Sequence, residues 1–191
     1  MKSHFFAYVS RMRFISRWAL MRNTDPENVQ EHSHQVAVLA HGLAVIRNRY
    51  FGGHADAGAV AVAALYHDAA EILTGDLPTP IKYFNPQIRS AYRDVEAVAN
   101  EKLLSLLPPE LRDVYEPILN ETDDEVRTLV KAADKLAAYI KCVEEVKAGN
   151  TEFRAAAEQT LIALKAFHLP EVEFFLDHFM ESFSLTLDEL Q

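Results

Sequence analysis

The stretch Ala55–Leu73, ADAGAVAVAALYHDAAEIL, decides the fold that we predict for this chain. It is alanine-rich and almost continuously apolar, and alanine has the highest intrinsic helix propensity. Nothing in it alternates with the period of two that a half-buried strand shows. The stretch therefore predicts a helix packed closely at the centre of a domain, and Gly75 is well placed to end it.

Helical periodicity continues on both sides of this stretch, and β-type alternation, internal repeats and low-complexity linkers are missing from the sequence. The sequence predicts a structured first helix and further helices at about 29–50, 86–107, 109–120, 122–147, 152–167 and 170–183. Between them, the segment 76–80 carries two prolines and cannot continue the preceding helix. We expect an all-α fold, one domain over residues 1–191 with about six to eight helices.

Charge restricts the class of ligand. The chain has 28 acidic and 19 basic residues, for a formal net charge of −9. An acidic surface repels polymeric nucleic acid, whose binding depends on phosphate neutralisation by Lys and Arg. A small anion remains possible if a few cations are focused in one cleft.

The expected location is the cytoplasm. The single cysteine, Cys142, cannot form an intrachain disulfide. No apolar run approaches the roughly 18 to 20 residues that cross a bilayer, so we expect no membrane partner. The first 24 residues carry several arginines and no acid. An organellar transit peptide can look like this, but no linker or cleavage-like stretch follows, which favours a structured helix.

Four residues stand out as metal-ligand candidates: His32, the pair His67-Asp68, and Asp134. Each lies in or beside a predicted helix whose other residues are apolar and expected to be buried. An unpaired carboxylate there would destabilise the folded state by several kcal/mol. Two imidazoles and two carboxylates suit a divalent transition metal such as Mn, Fe, Co or Zn. Separate helices would hold them rigidly.

Each candidate also has an ordinary structural explanation. A lone histidine such as His32 is most often structural, and a mid-helix acid such as Asp134 is most often paired, here with Lys131 or Lys135. Adjacent His-Asp pairs arise by chance. The argument rests on the ordered pattern of His32, the pair His67-Asp68 and Asp134, which lie on three separate predicted helices. His34 and His41 share a helix with His32, and a second metal site there is a weaker hypothesis.

The ordered set resembles the HD-domain superfamily of phosphohydrolases, which is named for such a His-Asp doublet. Further segments are similar to one branch, the bacterial 5'-deoxynucleotidases: Ser16-Arg17-Trp18, Glu31-His32-Ser33, residues 67–80 (HDAAEILTGDLPTP) and Lys131-Ala132-Ala133-Asp134. The resemblance runs across most of the chain in the right order.

The resemblance implies roles for individual residues. His32, His67, Asp68 and Asp134 match metal ligands for one divalent ion, cobalt, manganese or a similar ion, with zinc or magnesium possible. Glu71 matches the acidic catalytic residue beside the metal, and Asp76 matches a second acid. Arg17 and Trp18 match residues that contact the substrate. Asp76 could serve either role, near the scissile phosphate and the sugar.

Geometry agrees for Glu71, which lies four residues after His67 and three after Asp68 and so shares their helix face. Alone it would read as a solvated acid, and Asp76 as a turn residue. Arg presents a donor fork suited to phosphate, and Trp18 offers a flat apolar face for a base or sugar. The resemblance further implies that the indole lies where it could disfavour a 2'-hydroxyl. Without the resemblance, Arg17 would read as surface and Trp18 as core.

The expected activity is metal-dependent hydrolysis of deoxyribonucleoside 5'-monophosphates to deoxynucleoside and phosphate. One alternative is another HD-type activity, a dNTP triphosphohydrolase or a cyclic-nucleotide phosphodiesterase, although few basic residues are present to grip a triphosphate. A second is a non-catalytic helical module that binds metal or nucleotide. The resemblance also suggests a homodimer, and the cluster around Phe174 and Phe179 is interpreted as core or dimer contact.

Overall fold

A computed structural model of the chain describes residues 2–82 and 84–191. Its α-helices are α1 (Phe5–Val9), α2 (Val29–Tyr50), α3 (Ala57–Tyr66), α4 (Glu71–Thr74), α5 (Thr79–Lys82), α6 (Pro86–Ser105), α7 (Pro109–Leu119), α8 (Asp124–Lys147), α9 (Arg154–Lys165) and α10 (Pro170–His178). Short 3-10 helices cover Ser10–Phe14, Thr151–Phe153, Met180–Ser184 and Leu187–Leu190. In this part of the chain, β pairing is limited to one antiparallel bridge between Ser16 and Asn28. The predicted all-α fold is confirmed, and no helix described is both long and apolar enough to cross a membrane.

The main core lies where α2 packs against α3, α8 and α10. Alanines are fully buried at these contacts, including Ala40 and Ala44 of α2, Ala64 of α3, and Ala133 and Ala137 of α8. Because alanine has no side chain beyond Cβ, helix backbones can approach closely where alanines face each other. The helices that would carry the metal-ligand candidates therefore meet in a tightly packed centre.

The N-terminal residues belong to a second, smaller core. Phe5 is fully buried against Ala69, Leu103 and Leu107, and its ring contacts Tyr115 edge to face. The expected structured N-terminus is confirmed, although it is a single turn of α-helix followed by a 3-10 helix. This second core places residues 15–18, which follow the 3-10 helix, beside the start of α2.

The predicted helix at 55–73 is wrong in its middle. The α-helix ends at Tyr66, and the backbone N–H groups that follow donate to carbonyls three residues earlier. Ala69 N donates to Tyr66 O, and Glu71 N donates to Asp68 O. The His67 Nδ1 lies 2.7 Å from the Ala64 carbonyl, which Asp68 N would otherwise bond in a continuous helix. The His67 side chain competes with the backbone N–H of Asp68 for this carbonyl, and the chain turns at the His-Asp pair.

Helix ends follow the sequence signals closely. Gly75 ends α4 with φ 73°, in the left-handed region that glycine adopts at low cost. The start of α8 was predicted at Thr122, but Asp123 caps it by accepting from Glu125 N and Val126 N. α2 begins at Val29, where Asn28 and Glu31 form a capping box.

A buried carboxylate holds the loop at residues 22–25 against α8. Glu145, 2 % exposed, accepts hydrogen bonds from Thr24 N and Asp25 N and from the Asn150 amide, at 2.8 to 3.1 Å. The Lys141 ammonium contacts the same carboxylate and the Asp25 carbonyl. Burial would raise the pKa of Glu145, but these donors lower it to about 2. The charged group therefore stabilises the folded state at neutral pH.

We expect Glu145→Gln to lower the free energy of unfolding by about 3 kcal/mol at pH 7, because Lys141 loses its counter-charge while buried. The folded pKa of about 2 lies below the ordinary value of 4.5, so this stabilisation is complete above pH 4.5. It is lost as the pH falls towards 2.

Urea unfolding of both proteins should show the difference shrinking between pH 7 and pH 3. Glu144→Gln, one residue earlier and exposed, is the control. Equal losses for both variants, or a loss independent of pH, would contradict this role.

Candidate metal centre and active-site pocket

Three separate parts of the fold bring the ligand candidates together. His32 lies in the first turn of α2 and is fully buried. His67 and Asp68 occupy the turn between α3 and α4, and Asp134 lies in the middle of α8. Since α2 packs against both α3 and α8, all four residues meet at one place in the core. The structure thus joins residues that are far apart in the sequence, as the ordered pattern predicted.

The ligand atoms lie within contact distance of one another. His32 Nε2 is 3.1 Å from Asp134 Oδ1 and 3.6 Å from Asp68 Oδ2. His67 Nε2 is 3.1 Å from Asp68 Oδ2. One atom from each of His32, His67 and Asp68 fits within a span of 4.8 Å. Two ligands about 2.1 Å from a cation and 90° apart are themselves about 3 Å apart, so the spacing suits a metal ion.

The protonation of His67 gives a second reason to expect a cation. A carbonyl oxygen only accepts, so the contact with Ala64 O requires the proton on Nδ1. In the neutral ring, Nε2 is then a lone-pair acceptor, and it is buried without a hydrogen-bond partner although Asp68 is near. Two acceptors facing each other repel unless a positive charge lies between them. Burial would lower the pKa of His67, but the charge of Asp68 raises it, so this positive charge is either a second proton on His67 or a metal ion in its place. The four donor groups therefore fit a divalent transition metal.

The carboxylates of the cluster are held in their charged forms. Burial raises the pKa of Asp68, but the imidazoles of His67 and His32 outweigh it and bring the pKa well below its usual range. Burial likewise opposes ionisation of Asp134, and contact with His32 and the charge of Lys135 lower its pKa well below the ordinary value. Lys135 Nζ is 3.6 Å from Asp134 Oδ2, so the structural explanation in which a lysine pairs with this acid is also partly right.

Glu71 lies beside the cluster at the start of α4. Its side chain is 5 % exposed, and Oε2 has no hydrogen-bond partner. Burial, followed by the charges of Asp68 and Asp76, raises its pKa to about 9. Glu71 lines the same pocket as Asp68, although the turn after Tyr66 interrupts the continuous helix that the predicted shared face assumed. An orphaned buried carboxyl next to a metal-type cluster has the properties of a group that exchanges protons.

Arg17 is fixed between two acids. Its Nε donates to Glu27 Oε2 at 3.0 Å, and Nη1 lies 3.5 Å from Asp68 Oδ2. Burial would lower its pKa, but nearby acids, with Asp68 the strongest, raise it, so the guanidinium stays charged. Glu27 was not predicted from the sequence. Only the three-dimensional fold, through the bridge between Ser16 and Asn28, brings it to Arg17.

Trp18 is held in an unusual backbone conformation. Its φ is +57°, a region that side-chain-bearing residues rarely adopt, and such strain clusters at functional sites. The indole Nε1 donates to Glu27 Oε2 at 3.2 Å, and the ring packs against Phe153 with centroids 5.4 Å apart. Glu27 therefore orients both Arg17 and Trp18.

A pocket of about 580 Å³ opens onto this cluster. Its walls contain the predicted residues Arg17, Trp18, Asp68, Glu71, Asp76 and Asp134. Burial raises the pKa of Asp76 above its ordinary value, partly opposed by Arg17. Lys82 also lines the pocket and was not predicted, since nothing in its spacing marks it. Its ammonium is bound to Glu96 at 2.8 Å and lies over the Tyr92 ring.

His34 and His41 lie exposed on α2, away from this pocket. Among residues 2–82 and 84–191, His32, His67 and Asp68 are the one group of three or more His, Cys, Asp or Glu side chains close enough to hold a metal. The hypothesis of a second metal site at His34 and His41 is therefore not supported.

The fold is shared with solved structures of other proteins. The structure is similar to an HD-domain phosphohydrolase from Listeria innocua, with a TM-score of 0.82 at 22% sequence identity, covering 94% of this chain and 88% of that one. It is also similar to the cyanophage S-2L HD phosphohydrolase DatZ, which binds dA and one catalytic Zn²⁺ ion. That match has a TM-score of 0.67 at 22% identity over 92% and 96% of the two chains. The fold is that of an HD-domain phosphohydrolase.

Sequence comparison identifies the family. The family model described as "5'-deoxynucleotidase YfbR-like" matches residues 4–183. The chain is 51% identical to the 5'-deoxynucleotidase YfbR of Escherichia coli (strain K12 / DH10B) over 191 residues, 99% of this chain and 96% of that protein. The chain belongs to the YfbR-like family.

We expect Mn²⁺ or Co²⁺ to raise the melting temperature of the metal-free protein by about 5–10 °C at 100 times the dissociation constant. Asp134→Asn should abolish most of this shift, since it removes a negative ligand. His34→Ala, an exposed histidine on the same helix as His32, is the matched control and should keep the shift. Thermal unfolding by circular dichroism, with and without metal, measures it. A shift of the same size in Asp134→Asn would count against the site.

Proposed function

We propose that the protein is a metal-dependent 5'-nucleotidase that hydrolyses deoxyribonucleoside 5'-monophosphates to deoxynucleosides and phosphate. The observation that carries the proposal is the cluster of two imidazoles and two carboxylates at the end of a pocket that also holds a charged arginine and an unpartnered buried acid. Membership of a family described as 5'-deoxynucleotidase YfbR-like supports the substrate class.

His32, His67, Asp68 and Asp134 would hold one divalent ion, with cobalt or manganese the favoured ions and zinc or magnesium as alternatives. Bound there, such an ion supplies charge neutralisation for the phosphate and lowers the pKa of water. Mixed nitrogen and oxygen donors support this range of metals. The buried position of His32 and the hydrogen bond from His67 to Ala64 fix both rings before any ion arrives.

Arg17 would bind the phosphate. Its Nε is occupied by Glu27, so the guanidinium is oriented, and its Nη1 lies on the Asp68 side. A guanidinium that is already fixed loses little entropy when it binds phosphate oxygens, and it neutralises the charge that develops as the P–O bond breaks. The phosphate would therefore lie between Arg17 and the divalent ion that Asp68 and Asp134 would help to hold.

Glu71 and Asp76 would move the two protons of the reaction. Burial and the charges of Asp68 and Asp76 raise the pKa of Glu71, and a divalent cation in the cluster would oppose that effect. The buried, unpartnered Oε2 would then be able to accept the proton from the attacking water. The leaving 5'-oxygen needs a proton in return, and the raised pKa of Asp76 favours the protonated form that donates it. Water adds to phosphorus, the bond to O5' breaks, and the products are an alcohol and inorganic phosphate.

Trp18 would select the deoxyribose. The indole lines the pocket and is held from two sides, by Glu27 and by Phe153. A rigid aromatic face cannot hydrogen-bond a 2'-hydroxyl, so a ribose there would lose hydration without compensation. Discrimination against ribonucleotides would follow from this contact.

The proposal extends to the whole protein. Residues 1–191 would form one HD phosphohydrolase domain that acts in the cytoplasm on a small nucleotide and not on polymeric nucleic acid. A homodimer is supported by an aromatic surface around Phe174, whose ring stacks on Tyr50 at 4.7 Å. Tyr50, Phe51 and Phe179 are 62 %, 43 % and 45 % exposed there, whereas the neighbouring Phe175 is core. Covering such a surface would stabilise a dimer.

We expect phosphate release from dAMP and dTMP that depends on Mn²⁺ or Co²⁺ and stops with chelator. Glu71→Gln should lower kcat by about 100-fold or more, since the amide cannot accept the proton, while metal content stays the same. Phosphate release and elemental analysis of the purified variant measure both quantities. Undiminished kcat in Glu71→Gln would refute the catalytic role.

We expect Trp18→Ala to relax the preference for dAMP over AMP by about tenfold, because the apolar wall against the 2'-hydroxyl is removed. The ratio of kcat/KM for the two substrates measures it. Phe14→Ala, an exposed aromatic of the same N-terminal region, serves as the control. Equal losses on both sugars would assign Trp18 a packing role instead.

A further inference from the structure

A short segment between α4 and α6 forms one side of the pocket. Residues 76–82 contribute to its walls the side chains of Asp76, Leu77, Pro78, Pro80 and Lys82. The two prolines stiffen the backbone but have no N–H with which to bind a neighbouring element. The segment ends in the single turn of α5, where Ile81 N and Lys82 N both donate to Pro78 O. The position of Asp76 therefore depends on what holds the two ends of this segment.

The first end of the segment is tied to α6 through Thr74. The Thr74 hydroxyl donates to the Gly75 carbonyl at 3.0 Å and lies 3.3 Å from the Tyr92 hydroxyl. Since a hydroxyl has one proton to donate, the Tyr92 hydroxyl is the donor to Thr74. The chain is thus fixed to α6 two residues before Asp76.

The second end is tied to the same helix through Lys82. Its ammonium donates to Glu96 Oε1 at 2.8 Å and lies 4.5 Å from the centroid of the Tyr92 ring. Burial would lower the pKa of Lys82, but the hydrogen bond and the charge of Glu96 raise it, so the ammonium stays charged. Tyr92 and Glu96 are four residues apart on α6 and so share one face of that helix.

We infer that Tyr92 and Glu96 are positioning residues for the reaction, because they hold both ends of segment 76–82 and thereby fix Asp76 in the pocket. The inference rests on the proposed function, in which Asp76 moves a proton. Tyr92 serves both ends, since its hydroxyl binds Thr74 and its ring faces the ammonium of Lys82. The described residues that line the pocket do not include Tyr92 or Glu96, so both act through the segment and not on the substrate.

The contacts of Lys82 favour this anchoring role over direct binding of phosphate. The ammonium is bound to Glu96, and the two side chains, 27 % and 29 % exposed, form a pair that adds no net charge to the pocket. Phosphate binding needs positive charge that is not already neutralised. Arg17 meets that need better, because its guanidinium reaches the metal cluster itself, with Nη1 3.5 Å from Asp68 Oδ2.

Kinetics of single and double variants test the positioning role. We expect Glu96→Gln to lower kcat for dAMP about tenfold, because Asp76 is no longer held in place. In an Asp76→Asn background, the same substitution should lower kcat by less than about twofold, since the group that it positions has been removed. Lys82→Met should match Glu96→Gln, and the variant with both changes should be no slower than either.

Glu101→Gln, the same substitution at an exposed position of α6, is the matched control and should keep kcat. If the losses from Glu96→Gln and Asp76→Asn multiply, Glu96 acts independently of Asp76 and the inference is wrong. A much larger loss in Lys82→Met than in Glu96→Gln, with a raised KM, would assign Lys82 to substrate binding and would also overturn it.

Hydrogen exchange measured by NMR tests the two anchors without turnover. The amides of Ile81 and Lys82 should exchange about tenfold faster in Glu96→Gln than in the wild-type protein, while amides in the middle of α8 keep their rates. Unchanged exchange at Ile81 and Lys82 would contradict the anchoring, even in a protein that hydrolyses dAMP. Faster exchange confined to the segment would support it, even if the wild-type protein released no phosphate and the proposed function failed.

Discussion

Two carboxylates, Asp68 and Asp134, are drawn into the centre of a helical protein beside two imidazoles, and most of the structure can be understood from the need to hold them there. Taking carboxylates out of water costs several kcal/mol each unless a positive charge compensates. In their neutral forms His32 and His67 supply nitrogen lone pairs and no positive charge, and Arg17 reaches only one of the two acids. The cluster thus favours a divalent cation, and a tightly packed helical centre keeps its four members in place.

The same constraint explains why the helices around the cluster are rich in alanine. α2, α3 and α8 must approach closely enough for side chains from each to touch one point, and alanines at their contacts permit this. The outer parts of the fold then add directional groups. Glu27 orients Arg17 and Trp18 together, and Glu145 fastens the following loop to α8. Precision at the site comes from supports that lie one contact away from it.

Sequence reasoning succeeded where the signal was local. The existence of the helices and the stop at Gly75 were readable from periodicity and residue type. The ordered set of His32, His67-Asp68 and Asp134 is a longer-range signal, and the fold brings these four side chains together. It failed where a side chain overrides the backbone, as at His67, which interrupts a helix that propensity alone would continue. It also missed Glu27, which contacts Arg17 and Trp18, and Lys82, which lines the pocket, because tertiary contacts place both residues and no spacing rule marks them. The roles of Arg17 and Trp18 came from family resemblance and not from their physics.

The most direct measurement of the central claim is anomalous X-ray diffraction from crystals grown with Mn²⁺ and collected on both sides of the manganese absorption edge. The account predicts one strong peak per chain, at about 2.0–2.2 Å from nitrogen or oxygen atoms of His32, His67, Asp68 and Asp134. A structure without that peak, or with manganese bound elsewhere while the four side chains bond only to one another, would contradict it.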